Sequence, residues 1–218
     1  MRQSDKERGS AVRSLEGQVV LITGATSGIG RECSRVAAQE GARVIVTGRN
    51  AERGAATVQL AREAGGWAEF MRLDVTREHE WQAVIGTIME RHGRLDALVN
   101  NAGESILRPL ERLELEDLEF LLAVNLEACF LGMKYAMPAI RASGGGMILN
   151  VSSVAGIRAG PNSTIYGASK AALTGLSAAA ALEGASSTPE VCVNSIHPGL
   201  IWGEGPVESL GEEGARVF

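Results

Sequence analysis

Aromatic side chains fill only 4% of this 218-residue chain, and cysteine occurs three times. Cys33, Cys129 and Cys192 stand far apart and in odd number, which excludes a disulfide framework. They have no metal-ligand spacing either. No metal is expected, and the three read as packed thiols of a reducing, cytoplasmic compartment. Excess positive charge is also missing. A formal net charge of −5 removes any electrostatic reason to expect nucleic acid as a partner. Residues 1–14 are polar and carry no apolar core segment. They read as a disordered tail, neither a secretory signal nor a membrane anchor, and no membrane is expected among the partners. No repeat, low-complexity tract or linker divides the rest. Residues 15–218 are expected to form a single domain. Glycine and alanine, by contrast, are plentiful, which suits tight strand-to-helix turns and closely packed helices.

What is present is a repeating alternation of short apolar runs and helical stretches. Residues 18–23 form an apolar, β-branched run that reads as a buried strand. A glycine turn follows at once, Gly24 to Gly30, and then a helix over about 31–39. Strand, glycine turn and helix in that order make a site for a dinucleotide phosphate. Gly24, Ser27, Gly28, Ile29 and Gly30 are its candidates. A second strand over 42–47 ends in Gly48-Arg49-Asn50, with no carboxylate to hold ribose hydroxyls. Arg49 can instead pair with a ribose 2′-phosphate, so NADP(H) is preferred over NAD(H). A helix over about 51–64 leads to a third strand, 68–73, which ends at Asp74 and Val75, candidates for the adenine. Thr76 is expected to cap the helix over 77–92. His79 and His92 read as helix-surface residues without partners. A fourth strand, 95–99, runs into Asn100, Asn101, Ala102 and Gly103, where small residues let a ribose pass closely.

One long helix is expected over about 113–140, with Pro138 kinking or ending it. Asn125 lies in its interior, where a residue that competes for backbone hydrogen bonds is a poor choice. That makes it a functional candidate. A fifth strand over 147–151 delivers Ser153. Tyr166 and Lys170 follow, four apart, on one face of a helix starting near Ser163. An ammonium beside a phenol favours the phenolate, which makes a proton donor and acceptor usable near neutrality. Ser153 can hold a substrate oxygen in line with it. A sixth strand, 191–196, ends at His197-Pro198-Gly199. The alternation predicts an α/β fold with one parallel sheet and helices on both faces. The helices over 121–140 and 171–185 are apolar nearly all round, which predicts burial of their outer face in a homodimer or homotetramer.

Together these residues resemble the short-chain dehydrogenase/reductase family, in its compact single-domain branch. The resemblance rests on TGATSGIG at 23–30, NNAG at 100–103, Asn125, NVSS ending in Ser153, YGASK at 166–170 and NSIHPG at 194–199. It implies a Rossmann-type doubly wound sheet and the interconversion of a small-molecule ketone and a secondary alcohol. Nicotinamide passes hydride to or from the substrate carbon. Tyr166 is then the acid–base, Ser153 steadies the oxygen, and Lys170 tunes Tyr166 and holds the nicotinamide ribose. Asn125 positions a water linking Lys170 to solvent, and Pro198, Gly199 and Ile201 flank the nicotinamide. The serine about a dozen residues before the tyrosine is Ser153 rather than Ser152. The family also has a seventh strand and a substrate lid, which the residues after Ile201 do not resemble. The seventh strand is therefore expected to be missing, leaving the sixth at the sheet edge. A non-catalytic dinucleotide-binding protein of the same fold is the alternative reading. A sugar-nucleotide epimerase would need a larger substrate domain. Ser105, Ile106, Leu107, Ala155, Ile157 and Arg158 follow crevice strands and are expected to line the substrate pocket.

Overall fold

The computed structural model describes residues 14–158 and 160–201. Six strands are formed: β1 (Val19–Ile22), β2 (Arg43–Gly48), β3 (Trp67–Arg72), β4 (Ala97–Asn100), β5 (Gly146–Val151) and β6 (Val191–Ile196). They make one parallel sheet in the order β3-β2-β1-β4-β5-β6. Among the described residues there is no seventh strand, and β6 is the edge, as expected. The expected tail lies outside the described residues except for Ser14. That residue sits in a turn and donates from its amide and hydroxyl to the Glu40 carboxylate, at 3.3 and 3.2 Å.

The helices are α1 (Gly28–Gln39), α2 (Ala51–Glu63), α3 (Glu78–His92), α4 (Leu115–Leu122), α5 (Ala128–Ala142) and α6 (Thr164–Ala185). Side chains alternate along each strand, so every buried strand feeds two cores. Val20, Ile22, Val44, Val46 and Ala68 pack beneath α1 and α2, against Ala38, Val58 and Ala61. Val19, Leu21, Ile45, Leu98, Ile148 and Val193 face the other way, onto Trp81 and Ile88 of α3 and Met133, Ala136 and Ile140 of α5. Burying one such aliphatic side chain stabilises the fold by about 1.5–3 kcal/mol. Helices α1 and α2 cover only part of their face. An open apolar trough of about 360 Å3 remains, lined among others by Val20, Ile22, Val36, Val99, Met147 and Leu149.

Residues Leu115–Ala142 are one helical rod, as expected; it is long and apolar enough to cross a membrane, but its inward side packs on β4, β5 and α3. Other expectations need correction. Pro138 neither ends nor divides it: α5 runs on to Ala142. Pro138 and Lys134 are both exposed, so water can satisfy the Lys134 carbonyl that proline leaves without a donor. Thr76 does not cap α3. Its hydroxyl donates to Asp74 Oδ1 at 2.7 Å, and Arg77 occupies the cap position without a side-chain bond. His92 has a partner, Glu69 Oε1 at 2.8 Å from Nε2, and lies edge-on to Trp67. Of the three thiols Cys129 is buried and Cys33 half-buried, but Cys192 is exposed on the edge strand.

The chain leaves β1 for β2 and β3, then returns to lay β4 on the other side of β1. At that reversal the loops after β1 and β4 part in opposite directions and open a crevice at the carboxyl ends of the strands.

Candidate active site

At Gly24 and Gly30 the glycine turn after β1 leaves no room for side chains. Gly24 adopts φ 59°, and a Cβ on it would stand 2.7 Å from Ala102 Cα. A Cβ at Gly30 would collide with Asn101 Nδ2 and the Gly24 carbonyl. Gly28 adopts φ 50° with open space where its Cβ would be. Helix α1 then begins with no capping side chain on Ser27 and no acid in its first turn. Its amide end therefore suits an anion supplied from outside. These features fit a dinucleotide pyrophosphate.

Thr23 ties this turn to the loop after β4. Its hydroxyl accepts from the amides of Asn101 and Ala102, at 2.9 and 3.0 Å. Asn101 Nδ2 returns bonds to the carbonyls of Thr23 and Gly24, at 2.9 and 3.2 Å. Asn100 braces the next layer, donating to Asn150 Oδ1 at 2.8 Å, while Asn150 donates to Ser177 Oγ at 2.9 Å. The asparagines thus bind neighbouring strands and α6 together.

Past the end of β2, Arg49 Nη2 lies 3.7 Å from Glu104 Oε1, and both side chains are exposed. Asp74 stands nearby. Partial burial pushes its carboxyl up, but the Thr76 hydroxyl and amide, with Arg49 and Arg77, outweigh that and hold it below its ordinary value. Arg49 is therefore paired with Glu104 and also acts on Asp74, a feature the sequence did not reveal.

Ser153 follows β5, and its turn packs on α6, the helix that carries Tyr166 and Lys170. The serine turn docks directly on α6, because a Cβ at Gly156 would stand 2.7 Å from the Lys170 carbonyl carbon. Ser152 faces α6, with its hydroxyl donating to Lys170 O at 2.9 Å. Ser153 is backbone-extended, and its Oγ accepts from the Ala155 amide at 3.1 Å. That bond uses a lone pair and leaves the hydroxyl proton to donate elsewhere. Lys170 is 5% exposed, and its ammonium donates to Val151 O at 2.9 Å, 6.0 Å from the centre of the half-buried Tyr166 ring. Burial pushes the Lys170 ammonium below its ordinary value, opposed only weakly by the Cys129 thiol. Cys129, wholly buried behind it, is itself pushed up by burial to about 11.

Asn125 lies in a single widened turn, Ala123–Glu127, where the helix slips to π geometry between α4 and α5. Such turns insert one residue and loosen the carbonyl ladder. Its side chain is fully engaged. Oδ1 accepts from Glu104 N at 2.9 Å, while Nδ2 donates to Glu104 O at 2.9 Å and Ser169 Oγ at 3.0 Å. Gly103 lies between this amide and Lys170: a Cβ there would stand 3.1 Å from Asn125 Oδ1 and 3.2 Å from Lys170 Nζ. Pro198 is drawn to the serine turn by the Val154 amide, at 3.0 Å. Gly199 and Ile201 are exposed beside it. Of the expected pocket residues, Ile157 and Arg158 are exposed and Ser105, Ile106, Leu107 and Ala155 half-buried. Sequence reasoning missed His197, whose ring touches Ser153. Its place just before Pro-Gly, at the end of an edge strand, was the available signal.

A parallel doubly wound sheet with an uncapped glycine turn, and with serine, tyrosine and lysine gathered at one crevice, defines a nucleotide-dependent dehydrogenase fold. Residues 18–208 match the short chain dehydrogenase family. The 3beta-hydroxysteroid dehydrogenase of Mediterraneibacter gnavus is 42% identical over 191 residues, 87% of this chain and 68% of that protein. The cyclopentanol dehydrogenase of a Comamonas species is 38% identical over 184 residues, 84% of this chain and 73% of the other. The solved structure of a short-chain type dehydrogenase/reductase from Mycobacterium ulcerans superposes with a TM-score of 0.83 at 31% identity, covering 88% of this chain and 70% of that one. The chain belongs to the short-chain dehydrogenase/reductase family. It is an oxidoreductase of alcohol and carbonyl groups, using a nicotinamide dinucleotide.

Proposed function

We propose that the enzyme interconverts a ketone and an alicyclic secondary alcohol, with NADP(H) preferred and Tyr166 as the acid–base. The observation that carries this reading is the buried ammonium of Lys170, 6.0 Å from the Tyr166 ring, beside a serine whose hydroxyl proton is free to donate. When bound, the nicotinamide supplies or accepts the hydride. In reduction Tyr166 gives its proton to the substrate oxygen, and in oxidation it takes one. Ser153 donates to that oxygen and fixes its direction, which turns a diffusive encounter into an aligned one. Lys170 holds positive charge beneath the phenol. Asn125 locks the 103–104 backbone beside Lys170, and the widened turn around it makes room for a water joining Lys170 to solvent. Gly24, Ser27, Gly28, Ile29 and Gly30 take the pyrophosphate. Asp74 and Val75 take the adenine, Asn101, Ala102 and Gly103 the ribose, and Pro198, Gly199 and Ile201 the nicotinamide.

The substrate class is supported by an exposed apolar set around Ser153, namely Val154, Ile157, Leu200 and Ile201. Two relatives are named for alicyclic alcohols, a hydroxysteroid and cyclopentanol. A panel of cyclopentanol, cyclohexanol and a 3β-hydroxysteroid, set against polyols and followed by nicotinamide absorbance, tests it. Turnover of the alicyclic alcohols above the polyols is expected. The reverse order, or no turnover of any member, refutes the reading. Exposed Phe120, Phe130 and Leu182 on α4, α5 and α6 support a homodimer or homotetramer.

Cofactor choice hinges on Arg49. Pairing with the 2′-phosphate should favour NADPH over NADH by about 1–3 kcal/mol, the range for hydrogen bonds to charged groups. Glu104 competes for the same guanidinium at 3.7 Å. Arg49→Ala is expected to erase the preference and Glu104→Gln to widen it, by fluorescence titration of both cofactors. Equal wild-type affinities would sink the assignment.

A further inference from the structure

His197 stands just beyond β6, and its ring bridges two serines. Nδ1 lies 3.2 Å from the backbone carbonyl of Ser153, and Nε2 lies 3.1 Å from Ser195 Oγ. A carbonyl only accepts, so Nδ1 must carry the ring proton. Nε2 of the neutral ring then accepts from the Ser195 hydroxyl, and both nitrogens are satisfied. The position of this ring relative to the sheet is informative. The β5–β6 ladder ends at Val151 and Ile196. Beyond it, the Ser152 amide still reaches Ile196 O at 2.8 Å, and the Val154 amide reaches Pro198 O at 3.0 Å. Ser153 lies between these two cross-links. A trans peptide turns the Ser153 carbonyl away from the Val154 N–H that reaches Pro198, so this oxygen lies outside the backbone ladder to β6. The imidazole gives this carbonyl a donor from β6, beside a local bond from the Gly156 amide at 3.0 Å.

We infer that His197 is a positioning residue for Ser153. It continues the β5–β6 connection through a side chain and so fixes the backbone from which the Ser153 hydroxyl is aimed. This rests on the reading of Ser153 as the group that holds the substrate oxygen. An aligned donor is sensitive to small displacements: a shift of about 1 Å can cost as much as ~100-fold in rate. Removing the ring while the turn keeps its other bonds is expected to cost less, about tenfold.

Kinetics with the fastest alcohol of the panel separate the cases. His197→Ala should lower kcat about tenfold and leave the cofactor KM within about twofold, since the ring touches no part of the glycine bed. His197→Asn can return an amide N–H to the Nδ1 position and should recover most of the loss. His197→Gln reaches toward Ser195 instead and should not. In a Ser153→Ala background, His197→Ala should add almost nothing. A full loss persisting in that background, equal rescue by asparagine and glutamine, or an unchanged kcat in His197→Ala would each overturn the inference while leaving Ser153 in place. Normal turnover of Ser153→Ala itself would instead overturn the reading of Ser153, and the inference with it. A measurement without turnover or variants stands beside these. Nitrogen-15 NMR of the wild-type ring at neutral pH should place the proton on Nδ1. A neutral ring protonated on Nε2 could not donate to Ser153, and the inference would be wrong.

Discussion

Phenylalanine at position 166 is expected to lower turnover by about 100- to 10,000-fold, the usual contribution of a positioned acid–base group. Cofactor affinity should change by less than about twofold, because the substitution removes one oxygen and keeps the ring. The half-buried Tyr166 ring is held by its place on α6, 6.0 Å from the Lys170 ammonium, and none of that depends on the hydroxyl. Steady-state rates and a fluorescence titration of NADPH measure the two effects separately. The signature is a loss in kcat with cofactor binding preserved. Direction of reaction gives a second check on the wild type. Oxidation of an alcohol must hand a proton to the enzyme and should quicken as pH rises, while reduction of a ketone must draw one and should slow. Near-normal rates in Tyr166→Phe, or parallel pH profiles in the two directions, would remove Tyr166 from the chemistry.

The features that were legible in the sequence are those fixed by local rules. Buried parallel strands are short apolar runs, and all six strands lie within a residue or two of where strands were expected, although the edge strand β3 holds no β-branched residue. The glycine turn was readable because glycine takes φ 59° and 50° without strain, and at Gly24 and Gly30 only the lack of a Cβ admits the close approach of Ala102 and Asn101. The spacing of Tyr166 and Lys170 fixed their shared helix face. What escaped was set by tertiary partners. Thr76 has the chemistry of a helix cap, but Asp74 two residues earlier holds its hydroxyl. Asn125 was noticed as a misfit inside a helix, yet the π-type turn that accommodates it depends on Glu104 and Ser169, 21 and 44 residues away. Arg49 reads as a free cation in the sequence, because Glu104, its partner at 3.7 Å, lies far along the chain. Nothing local to His197 gives it a role, because its partner Ser153 lies 44 residues earlier. Cys192 looked like any packed thiol, and only the absence of a neighbouring strand among the described residues exposes it.

Lys170→Met is expected to move stability and activity in opposite directions. Lys170 is 5% exposed, and the partner of its ammonium is a carbonyl, Val151 O at 2.9 Å, rather than a carboxylate. A charge buried against a neutral acceptor keeps much of its desolvation cost, which is why burial lowers the pKa of this group. Methionine fills a similar volume without the charge. Removing the cost gains stability, and leaving Val151 O without this donor offsets about 1 kcal/mol of the gain. A net gain of about 1 kcal/mol should raise Tm by about 2–4 °C in a chain of this size. Turnover should fall by at least about 100-fold, because the phenol loses its cation. The pH dependence identifies the cause. In the unfolded chain lysine keeps its proton up to about 10.4. The folded protein releases it at a lower pH, so between the two values the unfolded state binds more protons and wild-type stability rises with pH. The penalty is complete below the folded value and gone above the unfolded one. The advantage of Lys170→Met should therefore be largest at neutral pH and shrink through the alkaline window. Paired thermal melts at neutral and alkaline pH measure it. A methionine variant less stable than the wild type at neutral pH, or one whose margin does not shrink on alkalinisation, would show that the buried ammonium supports the fold rather than straining it.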